Sequence, residues 1–144
     1  MITIVTGCPG TGKTTIAKKI ARQKKLKYVD VGQLIKDNKL YSYYNKKEKT
    51  YVVDVKKLNN FLIKMIKKEK NLVLDSHLSH YLPRKYVDEC IVTKCDLKEL
   101  KKRLEKRKYS EEKIKANLDC EIFDVCLIEA LENKHNVKVI KTSR

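Results

Sequence analysis

Tryptophan is absent from the 144-residue chain, and only two prolines and four glycines occur, with no low-complexity tract. That scarcity argues against disorder and against a flexible linker between two domains. No stretch approaches the ~18 apolar residues of a membrane span. The start, Met-Ile-Thr-Ile-Val, has neither the basic leader nor the apolar block of an export signal. A cytoplasmic protein with no membrane partner is expected. The cysteines (Cys8, Cys90, Cys95, Cys120, Cys126) are odd in number and never spaced C-x-x-C. Reduced, packed thiols are expected, not a disulfide framework or a zinc site. Negative charge is also scarce, with 18 Asp and Glu against 34 Lys and Arg, a net +16. Such an excess suits an acidic partner (RNA, nucleotide phosphate or an acidic protein surface) and suits equally a compositional bias toward lysine. Arginine is confined to Arg22, Arg84, Arg103, Arg107 and Arg144.

The length is ample for one domain with its own core. Ile2–Thr6 is a β-branched run ending at Gly7, the pattern of a buried strand. From Thr14 the apolar residues Ile16, Ala17, Ile20 and Ala21 recur at helical intervals. A second strand is predicted at 27–31, and Asp54 is placed to cap a helix carrying Leu58, Phe61, Leu62, Met65 and Ile66. Further strands are predicted at 72–75, 90–93 and 137–140. Asp96 with Glu99 has the spacing of a capping box, and Ser110 followed by two glutamates opens a helix. That last helix is predicted to bury Leu118, Ile122, Val125, Cys126 and Ala130 on one face. Strands alternating with helices predict a single α/β domain over 1–144, a parallel five-stranded sheet with helices on both faces. Its site lies beyond the carboxyl ends of the strands, where the Gly7 loop, Gly32 and Asp75 all fall.

Gly7-Cys8-Pro9-Gly10-Thr11-Gly12-Lys13-Thr14 satisfies G-x-x-x-x-G-K-[ST] in full, with a strand before it and a helix after it. This is a phosphate-binding loop of the P-loop NTPase class. Backbone N–H groups converge there on phosphate oxygens at a helix N-terminus. Lys13 is expected to neutralise β- and γ-phosphate charge, the Thr14 hydroxyl to ligate Mg²⁺, and Thr15 to support the α-phosphate. The second acidic group that such a site requires is Asp75, directly after a buried strand and reaching the metal through water. His77, two residues on, is placed to orient water, whereas His80, Tyr81 and Pro83 are expected to shape the loop. Two histidines without further ligands do not make a zinc site.

Arg103 and Arg107 stand at i and i+4 just before Tyr109 and a new helix start. A planar guanidinium suits the spread charge of phosphoryl transfer better than an ammonium does; a solvated basic helix is the alternative. Between 30 and 53 lie Asp30, Gly32, Gln33, Lys36, Tyr41, Tyr43, Tyr44 and Tyr51. Three readings fit that segment: an acceptor-nucleotide site, a stacking platform for single-stranded RNA, or a flap packed on its own tyrosines.

Several segments together resemble the adenylate kinase isoenzyme 6 family, small atypical nucleoside monophosphate kinases also known as ribosome-assembly factors. They are the loop 7–15, the segment Leu26-Lys27-Tyr28-Val29-Asp30-Val31-Gly32, Asp75-x-His77, Arg103-Leu104-Glu105-x-Arg107-x-Tyr109 and, most narrowly, Asn117-x-x-Cys120-Glu121-Ile122-Phe123-x-Val125. The resemblance implies a monophosphate-binding region over about 30–53, with Asp30, Gly32 and Lys36, and a short lid over about 106–116. It implies Gly10, Gly12, Lys13, Thr14 and Thr15 as ligands of ATP, Arg107 as the lid arginine on ATP, and Lys13, Asp75, His77, Arg103 and Arg107 as catalytic. The implied activities are Mg-dependent exchange of phosphate between ATP and AMP or related monophosphates, and ATP hydrolysis. In the family, hydrolysis is tied to late rRNA maturation through a small-subunit platform ribosomal protein, so that protein and pre-ribosomal RNA are implied partners. Two other readings remain open at this point: a nucleotide-controlled assembly switch that presents acidic side chains (Asp119, Glu121, Asp124, Glu129, Glu132), and a kinase for another small acceptor such as a sugar or shikimate.

Overall fold

Strict alternation along three inner strands creates the two faces on which the molecule is built. The computed structural model describes residues 1–143, in the order β1 (Ile2–Thr6), α1 (Lys13–Lys24), β2 (Lys27–Asp30), α2 (Val31–Asp37), β3 (Tyr41–Asn45), β4 (Thr50–Val53), α3 (Val55–Lys68), β5 (Leu72–Asp75), β6 (Glu89–Lys94), α4 (Leu97–Lys106), α5 (Glu111–Ile122), α6 (Val125–Glu132) and β7 (Val137–Lys141). Five strands form one parallel sheet in the order β2-β5-β1-β6-β7. Ile2, Ile4, Leu72, Leu74, Cys90 and Val92 point to one face, where they meet Val31, Leu58, Leu62 and Ala130 from helices α2, α3 and α6. Val5, Val73 and Ile91 point to the other, against Ala17, Ile20 and Ala21 of α1. Each fully buried aliphatic side chain contributes roughly 1.5–3 kcal/mol of transfer free energy, so both layers are held by period-2 strands facing period-3.6 helices.

From β1 the chain passes to β2 on one side, and after β5 it crosses β1 to β6 on the other, so the carboxyl end of β1 is a topological switch point. Register places Asp75 beside both Val5 and Asp30, and Val92 beside Thr6. The Gly7 loop therefore emerges between Asp75 and the end of β6.

Several local readings need correction. The strand predicted to reach residue 31 ends at Asp30, whose side chain accepts from the Gln33 N–H and caps α2. A seven-residue helix is too short to show a period. Residues 41–53 form an antiparallel hairpin in which Tyr51 packs against Tyr41 and Tyr44 at 4.6 and 4.9 Å; of the three readings of that segment, the packed flap describes these rings. The Asp96–Glu99 capping box does not form, because the end of β7 brings Lys141 to within 3.0 Å of Asp96 while Glu99 takes the Arg103 Nε–H. The helix opened by Ser110 is two helices, broken at Asp124, whose φ of +51° lies in the left-handed region. The break leaves Ile122 and Val125 exposed instead of buried, while Cys126 and Ala130 remain inside.

Candidate active site

The loop between β1 and α1 is pre-shaped by its own side chains. Gly7 has φ +149°, and a Cβ there would lie 2.9 Å from the Thr93 carbonyl oxygen, so only glycine lets β6 pack this close. Gly12 has φ +88° and is the N-cap of α1. It supplies no side-chain cap, which leaves the first amides of the helix to an anion. Around this turn the Cys8 carbonyl accepts from the Thr11 N–H (3.2 Å), the Thr11 hydroxyl (2.6 Å) and the Lys13 ammonium (3.1 Å). Thr11 Oγ1 also meets Thr93 Oγ1 at 2.7 Å, and the Thr142 hydroxyl donates to the Thr11 carbonyl at 2.6 Å. Enclosure lowers the Lys13 pKa to about 8, against the raising influence of Asp75. The ammonium is thus held where its charge is poorly solvated, and an anion is its natural partner.

Asp75 is buried at the end of β5, and one of its oxygens, Oδ2, accepts from Thr14 (2.9 Å) and from the Tyr28 hydroxyl (2.6 Å). The hydroxyl and carboxylate expected to serve the metal are therefore brought together at the start of α1. An all-oxygen pair of this kind fits Mg²⁺, a hard cation that binds through one or two protein oxygens and substrate phosphates. Withdrawal from water raises the Tyr28 pKa and the bond to Asp75 raises it further, so its proton stays on the bridge. His77 lines the same cavity as Lys13. The surrounding walls lower its pKa, repulsion from Lys13 and His80 adds to that, and the ring is neutral at pH 7. His80 is buried, with Nδ1 2.7 Å from Thr6 Oγ1, in keeping with a role in shaping the loop.

The two arginines separate. Arg103 donates to the Gly10 carbonyl and to the Thr142 hydroxyl and carbonyl, each at 3.2 Å, so it braces the phosphate loop from behind. Arg103 also lines a cavity beside Gly10, Gly12 and Thr15, so these contacts add a positioning role to the catalytic one expected of it. Arg107 ends α4, exposed, and borders two adjoining cavities. The smaller, about 590 Å³, runs from Gly10, Gly12, Thr15 and Ile16 to Arg103, Lys106, Lys141 and Thr142. The larger, about 820 Å³, joins Lys13, Thr14 and Thr15 to Gly32 and Lys36 on α2, to Lys47, Glu48 and Thr50 on the hairpin, and to Lys113, Asn117 and Cys120 on α5. The hairpin and α5 touch where Lys113 Nζ donates to the Glu48 carbonyl (3.4 Å). Asp30, expected beside an acceptor, serves as the cap of α2.

Residues 3–124 match the AAA domain family. Over 126 residues the chain is 40% identical to the "Putative adenylate kinase" of Methanocaldococcus jannaschii, covering 88% of this chain and 70% of that protein. It is 35% identical over 137 residues to the "Adenylate kinase isoenzyme 6 homolog" of Dictyostelium discoideum, covering 95% and 77%. The chain belongs to the adenylate kinase isoenzyme 6 family. Among solved structures, shikimate kinase from Acinetobacter baumannii superimposes with a TM-score of 0.68 at 15% identity, over 99% of this chain and 84% of that one. At that identity the likeness shows a shared P-loop kinase fold and nothing about the acceptor.

Within this family member, sequence reading missed four contributors to the site. Tyr28 reaches Asp75 from β2, Thr93 and Thr142 hold the loop from β6 and the end of β7, and Asn117 on α5 has its buried Nδ2 without a partner among the described residues. Thr93 and Thr142 act across the sheet, where no local pattern reports them, and Tyr28 stands in a family segment that gave it no task. The narrow motif did mark Asn117, but gave it no task. The cysteine expectation is overturned: Cys8 and Cys120, 112 residues apart, form a disulfide, while Cys90, Cys95 and Cys126 are free and buried. Packing of α5 across the loop brings the pair together, which spacing along the chain does not reveal. The acidic face imagined for the last helix is also largely occupied. Glu121 is buried against Lys94 Nζ and the Cys95 N–H, each at 2.7 Å, Asp124 also pairs with Lys94, and Glu129 accepts from Tyr81.

Proposed function

We propose that this chain transfers the γ-phosphoryl group of Mg-ATP to a nucleoside monophosphate, converting ATP and AMP to two ADP, and hydrolyses ATP when water takes the acceptor's place. One observation carries the reading: a single cavity is lined both by the phosphate loop, with Lys13 and Thr14, and by Gly32 and Lys36 on α2, with Arg107 and His77 on the same walls. A donor and an acceptor phosphate fit that arrangement, with 30–53 as the acceptor-binding region and 106–116 as the lid. Mg²⁺, held by Thr14 directly and by Asp75 through water, would neutralise phosphate charge during transfer. The loop amides and Lys13 hold the β- and γ-phosphates, and Arg107 answers charge on the equatorial oxygens. Lys36 holds the acceptor phosphate as a point charge, without the bidentate grip of a guanidinium, so several monophosphates are expected as acceptors. In hydrolysis the neutral His77 ring orients the attacking water by accepting its hydrogen bond on the unprotonated nitrogen.

A screen of nucleoside monophosphates, sugars and shikimate, run beside acceptor-free ATP turnover, tests this. AMP or a related monophosphate is expected to be phosphorylated, and Lys13→Ala to abolish transfer and hydrolysis together. Phosphorylation of shikimate or a sugar in preference to every monophosphate would overturn it, as would normal turnover by the Lys13→Ala protein.

A second reading, a role in maturation of the small ribosomal subunit, has two supports besides the family. The net charge is +16, and Ile122, Phe123, Val125, Ile128 and Leu131 leave apolar surface exposed on α5 and α6, Phe123 at 67%. Binding of pre-ribosomal RNA or a platform protein, compared with ATP, with ADP and without nucleotide, tests it; identical binding in all three states removes the nucleotide control. No helix among the described residues is long and apolar enough to cross a membrane.

A further inference from the structure

Three of the five cysteines converge on the nucleotide site from three different elements. The sulfurs of Cys8 in the phosphate loop, Cys120 on α5 and Cys126 on α6 all lie within 4.8 Å of one another. Cys8 and Cys120 are bonded, with their Cα atoms 6.2 Å apart, inside the span that a bridged pair requires. A buried cysteine usually behaves as a small apolar side chain, and Cys90 and Cys95 fit that description. Cys8 and Cys120 sit differently. The Cys8 carbonyl is the acceptor for Lys13 Nζ, so the placement of Cys8 and of the catalytic ammonium are linked. Cys120 lines the large cavity along the same helix as Lys113 and Asn117, and the first residues of that helix belong to the lid segment that begins beside Arg107.

We propose that the Cys8–Cys120 bond is a reversible regulatory modification that ties the phosphate loop to the helix behind the lid and suppresses phosphoryl transfer, with Cys126 as the thiol that releases it. The proposal rests on reading the cavity as a phosphoryl-transfer site. Lid closure requires α5 and the segment before it to move relative to the loop, and a covalent bond across that gap fixes their separation. The first amides of α1 lie beyond Cys8 in the chain and take no side-chain cap, so the bonded form still binds nucleotide.

The oxidant belongs to the class of low-molecular-weight disulfides. Cys120, the less buried of the pair, loses its thiol proton, and its thiolate attacks one sulfur of the small disulfide. The displaced thiolate takes up that proton. Cys8 then loses its proton, attacks the Cys120 sulfur and displaces the second small thiol. Two protein thiols have become one disulfide, and the two electrons reside in two small-molecule thiols. Release starts with an exchange that external thiol completes by reducing the new bond: the Cys126 thiol gives up its proton and its sulfur attacks Cys120, expelling Cys8 as a thiolate, which is reprotonated. The bond now joins α5 to α6, which already pack together, and the loop is free.

The test uses the full chain equilibrated in graded mixtures of reduced and oxidised glutathione. Alkylation and mass spectrometry map the bonds, a fluorescent ADP analogue reports affinity, and a coupled assay reports phosphoryl transfer. As the mapped Cys8–Cys120 bond forms, transfer is expected to fall at least ~10-fold and to return with dithiothreitol, while nucleotide affinity changes less than ~3-fold. In Cys120→Ser the ratio of oxidised to reduced activity is expected to stay near one. Cys126→Ser should still be inactivated but should regain activity ~5-fold or more slowly at limiting reductant. Equal transfer by the reduced and the mapped oxidised protein overturns the switch alone. So does a reduced protein that keeps one zinc ion per chain on these thiols and forms no bond in oxidising buffer. A reduced protein that binds Mg-ADP yet transfers phosphate to no acceptor, water included, overturns the kinase reading beneath it.

Discussion

Lys13 offers the most direct measurement of the site, because its half-buried ammonium titrates in an accessible range. Enclosure holds its pKa at about 8 in the nucleotide-free protein, well below an ordinary lysine. Phosphate oxygens beside it favour the charged form, so binding must raise that pKa. The sign follows by linkage: nucleotide affinity is greatest below about pH 8 and falls as pH rises through that value, because the deprotonated amine must regain a proton to bind. If only the ammonium form binds, Kd scales as 1 + 10^(pH − 8), a weakening of about 25-fold between about pH 7.5 and 9.5, or roughly 1.9 kcal/mol. His77 is held neutral throughout that interval, and burial pushes the Cys126 thiol up, so neither mimics the effect. Titration calorimetry of Mg-ADP binding in buffers of different ionisation enthalpy counts the protons directly. Uptake is expected to be about half a proton near pH 8 and to approach one near pH 9.5. Lys13→Met should bind weakly at every pH and take up none. Affinity that is flat across the interval, with no proton uptake in the wild-type protein, would refute the assignment of Lys13 to the phosphates.

Asp75→Asn leaves Thr14 and Tyr28 their hydrogen-bond partner but removes the charge that serves the metal; kcat in the coupled assay should fall about 10²–10³-fold while the circular dichroism spectrum is retained. His77→Ala should lower acceptor-free hydrolysis about 10²-fold and AMP phosphorylation much less, and equal losses in the two assays would reject its role toward water. Glu121→Leu leaves Lys94 and the Cys95 N–H without their buried partner. It should cost about 2–4 kcal/mol, read from the urea midpoint.

The sheet was legible because its strands announce themselves twice, as β-branched or apolar runs and as punctuation between helical periods. Ile2–Thr6, Leu72–Asp75 and Val137–Lys141 fall within a residue of where the sequence places them. The phosphate loop was legible for a different reason. Its chemistry needs backbone amides, and the positive-φ glycines that expose those amides are visible in the sequence itself. What escaped was short or acted through space. Helix α2 has seven residues, the hairpin alternates tyrosines without a buried partner layer, and the Asp124 break depends on its left-handed backbone beside the pairing with Lys94.

The pattern of misses has a physical origin that bears on the site. Motif residues bind ligand through groups local to one turn, so their spacing is fixed and readable. The residues that hold those groups in place come from wherever the sheet delivers them: Thr93 from β6, Thr142 beyond β7, Arg103 from α4 and Tyr28 from β2. Each directional bond they make contributes about 1 kcal/mol net, which is too weak to impose a sequence pattern but strong in combination. Together with the Cys8 carbonyl they fix the loop on several sides before nucleotide arrives. Preorganisation of that kind is what phosphoryl transfer asks of a protein, since the chemistry needs positioned charge and little else. Arg103 shows what residue type alone leaves out: its guanidinium suits phosphate as well as any arginine's, and β7 ends where Thr142 also takes it.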